Sequence, residues 1–180
     1  MTTASKITLA RIALIPVFFI IAVADFAGHL WVALAIFALA SLTDGIDGYV
    51  ARHYNQVSDF GKFLDPIADK MLVMAALVLF VAWGQMPAWA LLVILVREFG
   101  VSALRLIAVE GGTVIAAGWS GKIKTAATLV GIMLMLTPWH AAAVFGTVTV
   151  DTLCIAVMVI TTVWSGVEYF IRNWKVFKLD

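Results

Sequence analysis

Apolar residues run along this chain in long blocks, broken at short intervals by small polar clusters. Six such blocks stand out, at about residues 7–23, 30–52, 65–83, 88–109, 122–136 and 148–172. Several approach the roughly 20 residues that a helix needs to cross the hydrocarbon layer of a bilayer. Backbone amides cannot stay unpaired in lipid, so blocks of this length are expected to be helices. The pattern predicts an all-α integral membrane protein with six transmembrane helices. The connections are short, and there is no linker, internal repeat or low-complexity tract, so residues 1–180 are expected to form a single membrane-embedded domain.

Composition agrees: 63% of residues are hydrophobic and the mean hydropathy is +1.04, well outside the range of a water-soluble domain. Charge sets the orientation. With the N-terminus in the cytosol, eleven of the 12 basic residues fall at or near cytosolic ends: Lys6, Arg11, Arg52, Lys62, Lys70, Arg105, Lys122, Lys124, Arg172, Lys175 and Lys178. The opposite loops, DFAGH, GQMP and TPWHAAAVFG, carry none, which predicts that both termini are cytosolic. The remaining one, Arg97, lies well inside the fourth block. All tryptophans but Trp164 sit near block ends or in loops, as an aromatic belt places them. The first block shares a basic start and an Ala22-Val23-Ala24 segment with signal peptides, but Arg11 would interrupt the segment to be removed. Cys154, in an apolar run, has no partner for an internal disulfide. A net charge of +1 gives no indication of nucleic acid, and the basic cluster suits the anionic headgroups of membrane lipids.

Against that background the stretch from Asp44 to Lys70, DGIDGYVARHYNQVSDFGKFLDPIADK, is strongly polar. Asp44, Asp47, Gly48 and Ala51 fall at i, i+3, i+4 and i+7, one stripe of a helix, and Asp65 and Asp69 fall at i and i+4. At about 1.5 Å per residue, Asp47 and Asp65 sit roughly 6–8 Å below the cytosolic ends of their helices, and Asp44 and Asp69 roughly 12 Å below. Four carboxylates converging under the headgroups need cations, and oxygen-only ligation selects a hard divalent ion such as Mg2+ or Mn2+. Alternatives stay open: Asp65 before Pro66 also suits a helix start, and a single intramembrane Asp suits an ion path. Asp59 is expected to be a solvated turn residue. The chain carries no GxSxG, GxxxxGK[ST] or HExxH pattern.

The segment Asp44-x2-Asp47-Gly48-x2-Ala51-Arg52-x8-Gly61-x3-Asp65-x3-Asp69 resembles the signature of the CDP-alcohol phosphatidyltransferase family. The resemblance implies a six-helix catalytic bundle and two divalent metals held by Asp44, Asp47, Asp65 and Asp69, with Asp69 also the general base. It implies a CDP site formed by Gly48, Ala51, Arg52, Ser58 and Gly61. Within the family, RE followed by VSALR, AVEGGTVIAAGWSGKIKT and NQVSDFGKFLDPIADK are similar to members that use CDP-diacylglycerol as donor and sn-glycerol 3-phosphate as acceptor. Those members release CMP and form phosphatidylglycerophosphate. One departure is the start, Ser5-Lys6-Ile7-Thr8-Leu9, where many members have an Asn-Ile-Pro-Asn-like stretch. The resemblance also implies a homodimer, and the orientation places the chain in a bacterial inner membrane or a comparable organelle membrane, with the active site open to the cytosol.

An acceptor with its own phosphate needs cations, and Arg97, Arg105, Lys122 and Lys124 are the candidates for that phosphate. Arg97 and Glu98 are adjacent, so they neutralise either each other or different neighbours; Lys122 and Lys124 either converge on a ligand or snorkel to lipid. Another acceptor, such as phosphatidylglycerol or an inositol phosphate, is the alternative within the same chemistry. A channel that uses the aspartates as an ion path would continue its polar residues outward, yet the second block runs WVALAIFALASLT beyond Asp44. A scaffold with a vestigial site would have a broken motif position, and none is broken.

Overall fold

The computed structural model describes residues 3–53, 59–110, 112, 115 and 118–174, with side chains over 9–43, 70–109, 112, 115 and 118–174. Among these residues lie six helices: α1 Thr3–Val23, α2 His29–His53, α3 Asp59–Ala82, α4 Ala88–Glu110, α5 Trp119–Met135 and α6 Val150–Arg172. Each matches one apolar block. The described chain divides into two compact units, Met1–Phe80 with Ile132–His140, and Val81–Gly131 with Ala141–Asp180.

In the first unit α1 packs on α2. Ile15, Phe18 and Ala22 are buried on one stripe of α1, and Ala33, Phe37 and Ala40 on one stripe of α2. Alanines let the two backbones approach, and the rings of Phe18 and Phe37 fill the remaining space at 5.8 Å between centroids. Arg11 continues the α1 stripe and is itself buried. Trp31 meets Trp139 edge-to-face at 5.8 Å.

In the second unit α4 and α6 run side by side in the same direction: Arg97 lies beside Gly166, and Gly100 beside Phe170 one turn further along both helices. Between them in sequence α5 runs the opposite way, since its Gly121 faces Arg97 while its Gly131 faces Met158, two turns earlier on α6 than Gly166. This is the up-down-up order that short connections impose on consecutive helices. Val101, Leu104 and Tyr169 are buried together, with Ile115 and Phe170 packed on them.

Three details differ from the expectation. The chain is not wholly helical: Ala143–Phe145 pairs antiparallel with Val148–Thr149, turning at Gly146 with φ 57°. β-branched residues flanking a glycine favour that hairpin over the helical start expected at 148. Helix α6 starts instead at Val150, where Thr149 accepts the Thr152 amide as N-cap at 3.3 Å. Helix α3 begins at Asp59, six residues before the start expected at Asp65, so Asp59 opens a helix rather than sitting in a turn.

Among the described residues one helix, Val150–Arg172, is both long and apolar enough to cross a membrane by length and composition; Leu9–Val23, His29–Thr43 and Lys70–Ala82 are shorter apolar helical stretches. Helix α4 is equally long but carries Arg97, Glu98 and Arg105.

Candidate active site

The acidic motif is carried entirely on two consecutive helices. Asp44, Asp47, Gly48, Ala51 and Arg52 lie in the last turns of α2, and Gly61, Asp65 and Asp69 in the first turns of α3. Asp47 stands six residues before the end of α2, and Asp65 six residues after the start of α3. Asp44 and Asp69 stand nine and ten residues in. With the helix rise, the first two are roughly 9 Å from their helix ends and the second two roughly 14–15 Å. With the longer α3 the levels still agree to within the rise of one residue.

It also removes one alternative. Asp65 and Pro66 lie inside α3, past its first turn, so Asp65 does not open that helix. A proline there withholds the amide that would bond the carbonyl of Lys62. The side chains of these motif residues, and Ser58 altogether, lie outside the described residues. Among the described residues there is no cluster of three or more His, Cys, Asp or Glu side chains suited to a metal.

The basic candidates separate into one buried group and two peripheral contacts. Glu98 Oε1 accepts from Arg97 Nη1 at 2.8 Å and from Lys124 Nζ at 2.5 Å, so one carboxylate oxygen joins α4 to α5. All three side chains are largely buried, at 13%, 12% and 6% exposed for Arg97, Glu98 and Lys124. The group carries one surplus positive charge. Lys124 uses one of its three N–H donors on Glu98, and Arg97 Nε is buried with no partner among the described residues. Two cations and one anion in a nearly dry position form a natural receptor for a further anion.

The other two cations do not join this group. Arg105 is exposed and lies over the ring of Tyr169, 5.6 Å from its centroid. Lys122, in the first turn of α5, lies over Trp119 at 5.4 Å. Both are cation–π contacts of a half-wet surface.

Sequence reasoning left the partners of Glu98 open and missed two residues of α6. A Cβ at Gly166 would stand 3.1 Å from Arg97 Cγ, and Tyr169 buries its hydroxyl without a hydrogen-bond partner among the described residues. The signal for Gly166 was a lone glycine in an apolar helix, which by itself does not say what approaches it.

The profile of the CDP-alcohol phosphatidyltransferase family matches residues 1–164. The chain belongs to this family. As a CDP-alcohol phosphatidyltransferase it is a transferase, and both the acidic helices and the Arg97–Glu98–Lys124 group lie within the matched region. It is 45% identical over 187 residues to the CDP-diacylglycerol–glycerol-3-phosphate 3-phosphatidyltransferase of Bacillus subtilis, covering 97% of this chain and 96% of that one. It is 41% identical to the "Probable phosphatidylglycerophosphate synthase" of Mycobacterium tuberculosis, over 94% of this chain and 80% of the relative. A 3-phosphatidyltransferase of Salmonella typhimurium, named as the Bacillus protein is, is 37% identical over 91% of this phosphatidyltransferase and 90% of its own length.

Proposed function

We propose that this phosphatidyltransferase moves the phosphatidyl group of CDP-diacylglycerol to the primary hydroxyl of sn-glycerol 3-phosphate, forming phosphatidylglycerophosphate and releasing CMP. The observation that carries the choice of acceptor is the buried Arg97–Glu98–Lys124 group, whose surplus positive charge suits an acceptor that brings its own phosphate. The names of the relatives, which specify glycerol 3-phosphate, point the same way.

In this reading Asp44, Asp47, Asp65 and Asp69 hold two divalent ions, Mg2+ or Mn2+. The donor set fits: carboxylate oxygens alone, at two matching steps of α2 and α3. When bound, such ions neutralise charge on the pyrophosphate and on departing CMP. Gly48, Ala51 and Gly61 keep the helix surfaces low enough for the CDP moiety to lie against them, while Arg52 and Ser58 offer it donors. Arg97 and Lys124 hold the acceptor phosphate, and Arg105 and Lys122 attract it from the more exposed rim. Asp69 takes the proton of the acceptor hydroxyl; the hydroxyl oxygen bonds to the β-phosphorus as the bond from β-phosphorus to the bridging oxygen breaks, and CMP leaves with the bridging oxygen.

The chain acts as one catalytic domain over 1–180, with six membrane-spanning helices and both termini in the cytosol. Its place is a bacterial inner membrane, as a homodimer surrounded by lipid, with the site open to the cytosol and supplied from both the lipid phase and solution. The test is release of CMP by purified protein given CDP-diacylglycerol and a panel of acceptors, with Mg2+, with Mn2+ and after chelation. Release is expected with glycerol 3-phosphate and either ion. Preference for phosphatidylglycerol or an inositol phosphate would replace the acceptor assignment, and full activity after exhaustive chelation would remove the metal site.

A further inference from the structure

An acceptor site made of a lysine and an arginine on different helices has a difficulty: the two cations repel, and each has a long flexible stem. Lys124 and Arg97 are 27 residues apart in the chain, on α5 and α4. Two features hold them together. Glu98 bridges both through one oxygen, Oε1, at 2.8 and 2.5 Å. Arg97 is also confined from behind, because α6 presents Gly166 to its stem: a methyl group there would stand 3.1 Å from Cγ, tighter than ordinary contact. On the other side Gly121 of α5 leaves room for Arg97 Nη2, which a Cβ would meet at an ordinary 3.8 Å. Cγ is near the root of the side chain, so crowding it redirects the whole guanidinium.

We infer that Glu98 and Gly166 are positioning residues, holding Arg97 and Lys124 in a preset geometry for the phosphate of the acceptor. The inference rests on the placing of that phosphate at these cations in the proposed function. Glu98 cancels one of two positive charges, so its benefit is preorganisation: donors already fixed in space lose less freedom when the phosphate arrives. Gly166 serves the same end without charge, by leaving open the space that the stem of Arg97 occupies. Both act on acceptor binding and neither touches the reacting atoms, so the effect belongs in KM for the acceptor rather than in kcat.

Steady-state kinetics of the purified full chain in mixed micelles test this, varying sn-glycerol 3-phosphate at saturating CDP-diacylglycerol and then the reverse. Glu98→Gln and Gly166→Ala are each expected to raise KM for glycerol 3-phosphate about tenfold, with kcat and donor KM within about twofold. Wild-type acceptor KM in either variant removes that residue from the role, as does a fall in kcat with KM unchanged. Gly166→Ala alters no charge, so it decides the matter if Glu98→Gln does not fold. Lys124→Met separates this inference from the reading beneath it. Unchanged acceptor KM in Lys124→Met overturns the placing of the phosphate itself. A raised KM there, beside wild-type values for Glu98→Gln and Gly166→Ala, overturns the positioning role alone.

Discussion

At the residue scale, the chemistry turns on whether Asp69 is more than one ligand among four. A carboxylate that takes the acceptor proton acts in the transition state, so Asp69→Asn should lower kcat by about 10²–10⁴-fold while changing donor KM far less. Kinetics with saturating acceptor check this; equal loss in both constants would make Asp69 a ligand only. Tyr169 offers a contrasting case. Its ring carries Arg105, but its buried hydroxyl has no partner among the described residues. Such a group costs about 1–3 kcal/mol, so Tyr169→Phe should leave activity unchanged and hold or raise the thermal midpoint in micelles. A clear loss of stability would reveal a hydrogen bond to that oxygen. The acidic residues were legible because their spacing alone places them on a helix face. The role of Glu98 was not, because the same neighbour relation with Arg97 exists whether or not a lysine comes from another helix.

At the element scale, helix existence followed directly from block length. Helix α4 runs Ala88–Glu110 where the pattern predicts 88–109, and α2 ends at His53 where it predicts 52. Helix starts were less legible. Pro66 suggested a beginning at Asp65, yet α3 continues back to Asp59, because a proline inside a helix forfeits only one hydrogen bond when the surrounding turns are strong. The hairpin before α6 was hidden for a related reason: five strand residues are too few to impose an alternating pattern on an apolar loop. The pairing of α1 with α2 carries its own test. Phe18 and Phe37 pack against each other at a tilt, with both rings fully buried. Phe37→Ala should cost about 3–5 kcal/mol of stability, and the double variant with Phe18→Ala should cost less than the two singles combined. Reversible unfolding in mixed micelles measures both; strict additivity would mean that the rings do not depend on each other.

At the scale of the whole molecule, the distribution of Lys and Arg makes a topological claim that impermeant thiol reagents can check. Cys154 is buried and is the single cysteine, so Cys154→Ala supplies a background without thiols. On that background Ala142→Cys, beside the hairpin, should react in intact spheroplasts, and Arg172→Cys, at the end of α6, only after the membrane is opened. The reverse pattern would invert the chain and place the acidic motif on the outer side. The sequence by itself determined the six helices, and it determined that Asp44 and Asp47 share a stripe of α2 and Asp65 and Asp69 a stripe of α3, since both follow from rise and period within each helix. Only the tertiary structure decided that Glu98 joins Arg97 to Lys124, that Gly166 stands behind Arg97, and that Arg105 and Lys122 lie apart on aromatic rings. Helices apolar on nearly every side have no polar stripe to announce which face is buried. Their rotation and sliding against neighbours are set by side-chain packing between helices, and that packing exists only once the chain is folded.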